Sequence, residues 1–94
     1  MVTTMLDLSI TTQFKRDRKR CLKRGYDMER LNAVIDTLLI PAPLLPENKN
    51  HPLSGNWAHH QECHILSDWL LIYRIEGNHL ILDRTGTHSD LFDE

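Results

Sequence analysis

Gln61-Glu62-Cys63-His64-Ile65-Leu66-Ser67-Asp68-Trp69-Leu70-Leu71-Ile72-Tyr73 decides the fold. Its second half, Trp69 to Tyr73, is an unbroken apolar, aromatic and β-branched run, which predicts a strand buried on both faces. The first half, Gln61 to Leu66, predicts a second strand, with Ser67-Asp68 as the turn between them. In an extended chain, residues two apart point the same way. Glu62 and His64 are therefore expected side by side on one face of a sheet, braced by a stiff core strand.

Downstream, Glu76-Gly77-Asn78 predicts another turn, because Gly and Asn tolerate positive φ. His79 to Thr85 then gives a third strand, and three strands joined by short turns make an antiparallel meander. Gly86-Thr87-His88 leaves the sheet, and Ser89 to Phe92 predicts a final helical turn. Upstream, residues Glu47 to Trp57 read as a loop. Before it, Pro41, Pro43 and Pro46 make a stiff connector. They end a helix capped by Asp27, in which Leu31, Val34, Ile35, Leu38 and Leu39 repeat at i, i+3, i+4, i+7 and i+8. An earlier helix is expected from a cap at Thr11 or Thr12 to about Arg24, stopped by Gly25. Phe14, Cys21 and Leu22 form its narrow apolar face. A turn at Gly25-Tyr26 folds the two helices into an antiparallel hairpin that needs a sheet to cover. The alternation of Leu6-Asp7-Leu8-Ser9-Ile10 predicts a short half-buried strand. The fold class is α+β, two N-terminal helices packed on an antiparallel sheet, in one domain over residues 1–94.

Ninety-four residues, 40% of them hydrophobic, suffice for one small core. No run approaches the ~20 apolar residues of a membrane span. The stretch Met1 to Asp7 lacks the basic start and apolar middle of a secretory signal. Two cysteines, Cys21 and Cys63, make no disulfide framework and fit no metal motif, which points to a reducing cytoplasm. The net charge of −2 hides an asymmetry. Residues 13 to 24 carry seven Lys or Arg against Asp17 alone, or +6, while the remainder carries four against twelve acidic residues, or −8. Most charged helix faces are merely solvated. Lys15, Arg16 and Lys19 in so dense a run also suit a polyanion.

Histidine exchanges protons near neutral pH. His51, restrained by Pro52, and His88, at the exit of the last strand, are expected to converge with His64 and Glu62. Metal-free RNA cleavage needs a base for the 2′-hydroxyl proton, an acid for the leaving 5′-oxygen, and donors around the phosphate. Such a set supplies these parts, although a single surface histidine is commonly idle. Zinc is the rival use of the same side chains. There is no His-Glu-x-x-His and no paired-Cys motif. His59 and His60, adjacent on an expected extended segment, should point apart. Phe92 can stack on a base or plug the sheet edge, and Trp57, Trp69, Tyr73 and Phe14 suit the core.

Four blocks together resemble one family. They are His51-Pro52-Leu53-Ser54-Gly55-Asn56-Trp57, Glu62-Cys63-His64-Ile65, Ser67-Asp68-Trp69-Leu70-Leu71-Ile72-Tyr73, and Arg84-Thr85-Gly86-Thr87-His88-Ser89-Asp90-Leu91-Phe92. In order and spacing, and with Phe14-Lys15-Arg16-Asp17, they resemble the YafQ branch of the RelE/ParE toxin superfamily. The resemblance implies a microbial-RNase-like fold and a type II toxin that cuts mRNA in the ribosomal A site. It implies His51, His64, Asp68 and His88 as catalytic positions. Glu62 and Phe92 lie at positions near the substrate, and Arg84 either faces the phosphate or pairs with a carboxylate. Implied partners are a cognate DinJ-like antitoxin, the ribosome and its mRNA, and operator DNA only through the toxin–antitoxin complex. No membrane partner is implied, and no metal or other cofactor. Gln61 and Ala58-His59-His60 depart from the more basic, glycine-containing pattern of the family. The same architecture serves ParE-like toxins that poison a protein such as gyrase, and the basic helix alone would suit a nucleic-acid-binding module.

Overall fold

The computed structural model describes residues 5–92; the residues read above as lacking a secretory signal fall partly outside that range, at 1–4. Five strands form one sheet in the order β1-β5-β4-β3-β2: β1 Asp7–Ile10, β2 His51–Pro52, β3 Gln61–Leu66, β4 Trp69–Glu76 and β5 His79–Gly86. The helices are α1 Thr12–Lys23, α2 Met28–Leu39 and α3 His88–Phe92. None of the described helices is long and apolar enough to cross a membrane.

The expected meander is present as β3, β4 and β5, paired antiparallel. Two strands modify the expected sheet. β1 adds to β5 in parallel, with Leu8 beside Leu80 and Ile10 beside Leu82. β2 is a two-residue strand inside the segment read as a loop, and it sets His51 opposite Glu62. Local period identifies a strand but not its partner or direction, and two residues are too few to show a period.

The Thr11 side chain caps α1 by accepting from the Phe14 N–H, and the Asp27 side chain caps α2 by accepting from the Glu29 N–H. Gly25 follows α1 at φ 83°, where a side chain would be strained. α1 packs over β5 and α2 over β3, so the hairpin reaches the core at separate strands. The main core joins Phe14, Cys21, Leu31, Val34, Ile35 and Leu38 to Cys63, Ile65, Leu71, Tyr73, Leu80 and Leu82. One expected member is absent: Leu22 is 60% exposed, and the position on α1 buried in its stead is Asp17.

Trp69 to Tyr73 is buried throughout, as a strand covered on both faces requires. The second cover is thin. Leu70, Ile72 and Leu91 form a small cluster with Leu53, Trp57 and Phe92. The segment from Leu53 to His60 is closed by the Leu53 N–H on the His60 carbonyl at 2.9 Å. Segment and α3 leave part of this face open, and the imidazoles stand there.

Candidate active site

Strand register builds the site. His51 pairs with Glu62, Glu62 with Ile72, and Ile72 with Arg84, so these four make one row across the sheet. The next row is His64, Leu70 and Gly86. Cross-strand partners share a face. A bulge between the Ile72 and Tyr73 pairings inserts Asp83 into β5 beside Arg84.

Glu62 is buried, and its Oε1 lies 3.1 Å from His51 Nε2 and 3.7 Å from His64 Nε2. The far side of each ring meets a backbone carbonyl, His51 Nδ1 on Pro52 O and His64 Nδ1 on Ser67 O, each at 3.2 Å. A carbonyl only accepts, so each ring donates there from Nδ1, and His51 Nε2 is also within hydrogen-bond distance of the Glu62 carboxylate. Both Nε2 atoms then converge on one carboxylate. Among the described residues, His51, Glu62 and His64 are the group able to hold a metal ion, with ligand atoms within 4.8 Å of one another. Its members, expected to converge, come from two strands, so no single sequence motif spans them. His59 and His60 do not lie on an extended segment as expected. His59 turns at φ 71°, and His60 Nε2 meets Asp83 Oδ2 at 3.3 Å.

His88 stands beside the trio, its ring centre 5.9 Å from that of His64. Asp68, in the β3–β4 turn, accepts from the His88 ring at Nδ1 (2.7 Å) and from its backbone N–H (3.0 Å). These bonds, the backbone one foremost, hold the Asp68 carboxyl below its ordinary range although its side chain is 61% exposed. Phe92 lies on α3 with its ring 6.3 Å from both His88 and Trp57. The ring is half-buried against the cluster of Leu70, Ile72 and Leu91.

Arg84 takes the carboxylate partner. Its Nε donates to Asp17 Oδ2 at 2.7 Å and its Nη2 to Oδ1 at 3.2 Å. Asp17 also accepts from Gln13, Arg20 and the Thr85 N–H. Arg24 grips Asp90 of α3 through two bonds of 2.7 and 3.1 Å. Thr87 and Asp90 exchange bonds in a capping box at the start of α3, since the Thr87 N–H reaches Asp90 Oδ2 and the Asp90 N–H reaches Thr87 Oγ1. The spacing Thr87-x-x-Asp90 was the readable signal for that cap. Nothing in the sequence marked Asp17, an acid within a basic run, as buried. Lys15, Arg16 and Lys19 are exposed on α1 and are not brought to the imidazoles. Arg20 and Arg24 are spent on Asp17 and Asp90, so the free positive face of α1 is smaller than its composition implies.

The family described as "Bacterial toxin of type II toxin-antitoxin system, YafQ" matches residues 6–93. The chain belongs to this family. It is 40% identical over 88 residues to the mRNA interferase toxin YafQ of Escherichia coli K12, covering 92% of this chain and 95% of that one. Among solved structures, a copper-bound L66S mutant toxin from Helicobacter pylori superposes with a TM-score of 0.90 at 42% identity, covering 94% of this chain and all of that one. YafQ in the E. coli DinJ–YafQ toxin–antitoxin complex superposes with a TM-score of 0.86 at 35% identity, covering 97% and 99%. The α+β fold is thus that of the YafQ toxins, and the expected RelE/ParE relationship stands at the level of this branch.

Proposed function

We propose that this chain is an endoribonuclease toxin that cuts mRNA on the ribosome by acid–base catalysis and is neutralised by a DinJ-like antitoxin. One observation carries the chemistry: the Asp68–His88 pair faces the His51–Glu62–His64 trio across 5.9 Å between the His64 and His88 rings. In the proposed step, His51 or His64 takes the 2′-hydroxyl proton, with Glu62 stabilising the charge that results. The freed 2′-oxygen attacks phosphorus, giving a 2′,3′-cyclic phosphate as the 5′-oxygen leaves. His88, with Nδ1–H held on Asp68, protonates that oxygen from Nε2. Arg84 keeps its Nη1 for the phosphate while Asp17 grips the rest of the guanidinium. Phe92 stacks on a base beside the scissile bond.

The antitoxin supplies an acidic segment to the exposed Lys15, Arg16 and Lys19, or the ribosome supplies RNA phosphates there. Changing all three to Glu then weakens at least one of these complexes, and unchanged affinity for both at low and high salt removes the face from the account. The toxin acts in the cytoplasm, where its substrate is.

The decisive experiment translates a defined message in vitro with wild-type and His88→Ala protein and maps the RNA ends on ribosomes. The wild type produces discrete ends. His88→Ala loses them by about 10²–10⁴-fold while its melting curve stays that of a folded protein. Undiminished cleavage by folded His88→Ala overturns the mechanism. Arrest without any RNA cut favours the protein-poisoning alternative.

A further inference from the structure

His51 is carried into the site by the shortest strand of the sheet. β2 has two residues, and its register with β3 ends at Gln61 and Glu62. Pro52 brings no N–H to that ladder. The His51 side chain is 47% exposed, so packing does little to fix its ring. The chain before it is held from outside the ladder, by two side-chain bonds. Asn48 Nδ2 donates to the main-chain carbonyl of His64 at 2.8 Å, on the part of β3 that β2 does not reach. The Tyr73 hydroxyl donates to Asn50 Oδ1 at 2.6 Å. Between these two asparagines, Lys49 turns the chain at φ 47°, a left-handed conformation uncommon outside glycine.

We infer that Asn50 is a positioning residue for the nuclease, fastened by the Tyr73 hydroxyl so that the His51 ring meets Glu62, with Asn48 steadying the same segment against the strand of His64. The role in cleavage rests on the nuclease reading above; the placing of the ring does not. Tyr73 is a rigid anchor. It lies in the main core at 3% exposure, on the face of β4 opposite Ile72. Burial pushes its phenol up to about 12, so near neutral pH it remains an O–H donor. A buried hydroxyl needs a partner, whereas Asn50 is exposed and has water for its own amide. The bond therefore draws Asn50 to the sheet rather than the reverse.

Asn50 is the residue directly before His51, so a shift of one displaces the other. On the far side, the Leu53 N–H on the His60 carbonyl holds the chain at 2.9 Å. His51 and Pro52 thus hang between two fixed points, one on each side. Loss of the upstream point lets the ring drift from Glu62 Oε1, now 3.1 Å from His51 Nε2. A displacement of about 1 Å breaks that hydrogen bond, and a misplacement of this size costs on the order of 10²-fold in rate. Neither Asn50 nor Tyr73 touches the reacting atoms; both act through His51.

The test uses Tyr73→Phe, which removes the hydroxyl and keeps the ring in the core, and Asn50→Ala, which removes the acceptor. In steady-state RNA cleavage on ribosomes each lowers kcat about tenfold to a hundredfold with KM unchanged. The double variant falls no further than Asn50→Ala, because the two side chains act through one bond. Asn50→Asp, which keeps an oxygen at the same reach, recovers most of the rate. The ring itself is read without RNA, from the NMR resonances of the histidine imidazoles in the whole protein. In Tyr73→Phe and Asn50→Ala those of His51 move, while those of His79, exposed at the start of β5, stay. Unmoved His51 resonances, or a kcat within about twofold of wild type, overturn the proposal. So does a loss of rate that only follows the loss of folded protein in circular dichroism and that Asn50→Asp leaves unrepaired. Wild-type protein that cuts no RNA refutes the nuclease reading, and the His51 resonances then decide the placing of the ring alone.

Discussion

Replace Asp17 with asparagine, and the fold loses a charge that no water shields. The Asp17 side chain is 0% exposed. Its Oδ2 accepts from Arg84 Nε at 2.7 Å and the Thr85 N–H at 3.2 Å. Its Oδ1 accepts from Arg20 Nη2 at 3.0 Å, Gln13 Nε2 at 3.1 Å and Arg84 Nη2 at 3.2 Å. Asparagine keeps one acceptor oxygen and turns an NH₂ group on donors at the other. Removing one partner of a buried charge pair costs about 3–5 kcal/mol. The Arg84 and Arg20 side chains are 20% and 37% exposed, so water recovers part of the loss, and the low end, about 3 kcal/mol, applies. For a domain of this size that lowers Tm by about 12–24 °C. Against a total stability of about 5–15 kcal/mol the variant still folds near room temperature. Urea unfolding followed by far-ultraviolet circular dichroism measures the difference, at low and at high salt. The loss should persist at high salt, because ions screen a buried pair poorly. A loss under about 1 kcal/mol, the size of an exposed ion pair, refutes the claim that Asp17 pins β5 to α1.

Arg24→Ala frees Asp90 from its bidentate partner and loosens the helix that carries His88; kcat should fall on the order of tenfold to a hundredfold with KM unchanged, and Arg24→Lys should restore part of it. Unaltered kcat in steady-state RNA cleavage would show that α3 needs no such tether. On the acid side, the Asp90 carboxyl is held below its ordinary range, first by Arg24, and that of Asp68 by His88. A depressed folded value adds stability above the unfolded value of about 4 and loses it as pH falls below that, so acid unfolding should steepen under about pH 4 and flatten in Asp90→Asn. Identical acid limbs for the two proteins count against it. Burial pushes the Cys63 thiol up to about 12 and raises that of Cys21, so iodoacetamide near neutral pH should label neither until the chain unfolds. Rapid labelling of native protein, read by mass spectrometry, would contradict the buried placement.

Much of the scaffold is written in local pattern. The five apolar positions of α2 repeat with the helical period, the run from Trp69 to Tyr73 has the unbroken apolar character of a strand covered on both faces, and two caps and a hairpin turn mark element ends. The same logic placed Glu62 and His64 on one face, since only the two-residue period of a strand was needed. It reached no further where chemistry depends on register. His51 joins Glu62 through a two-residue strand, and Arg84 enters that row through a bulge; neither leaves a trace in composition. Asp17 shows the limit most sharply. An acid among seven bases looks like surface, and here it is the residue about which Arg84, Arg20 and β5 are arranged. A charge can be buried only where its partners are delivered to it, and Arg84 arrives from 67 positions along the chain. The basic run that suggests nucleic acid is thus partly an internal fixture: two of its cations hold Asp17 and Asp90, and through Asp90 the His88 helix. Its external role falls to the side chains that stay exposed. Catalytic geometry and polyanion binding consequently draw on different members of one helix, and can be separated by mutation.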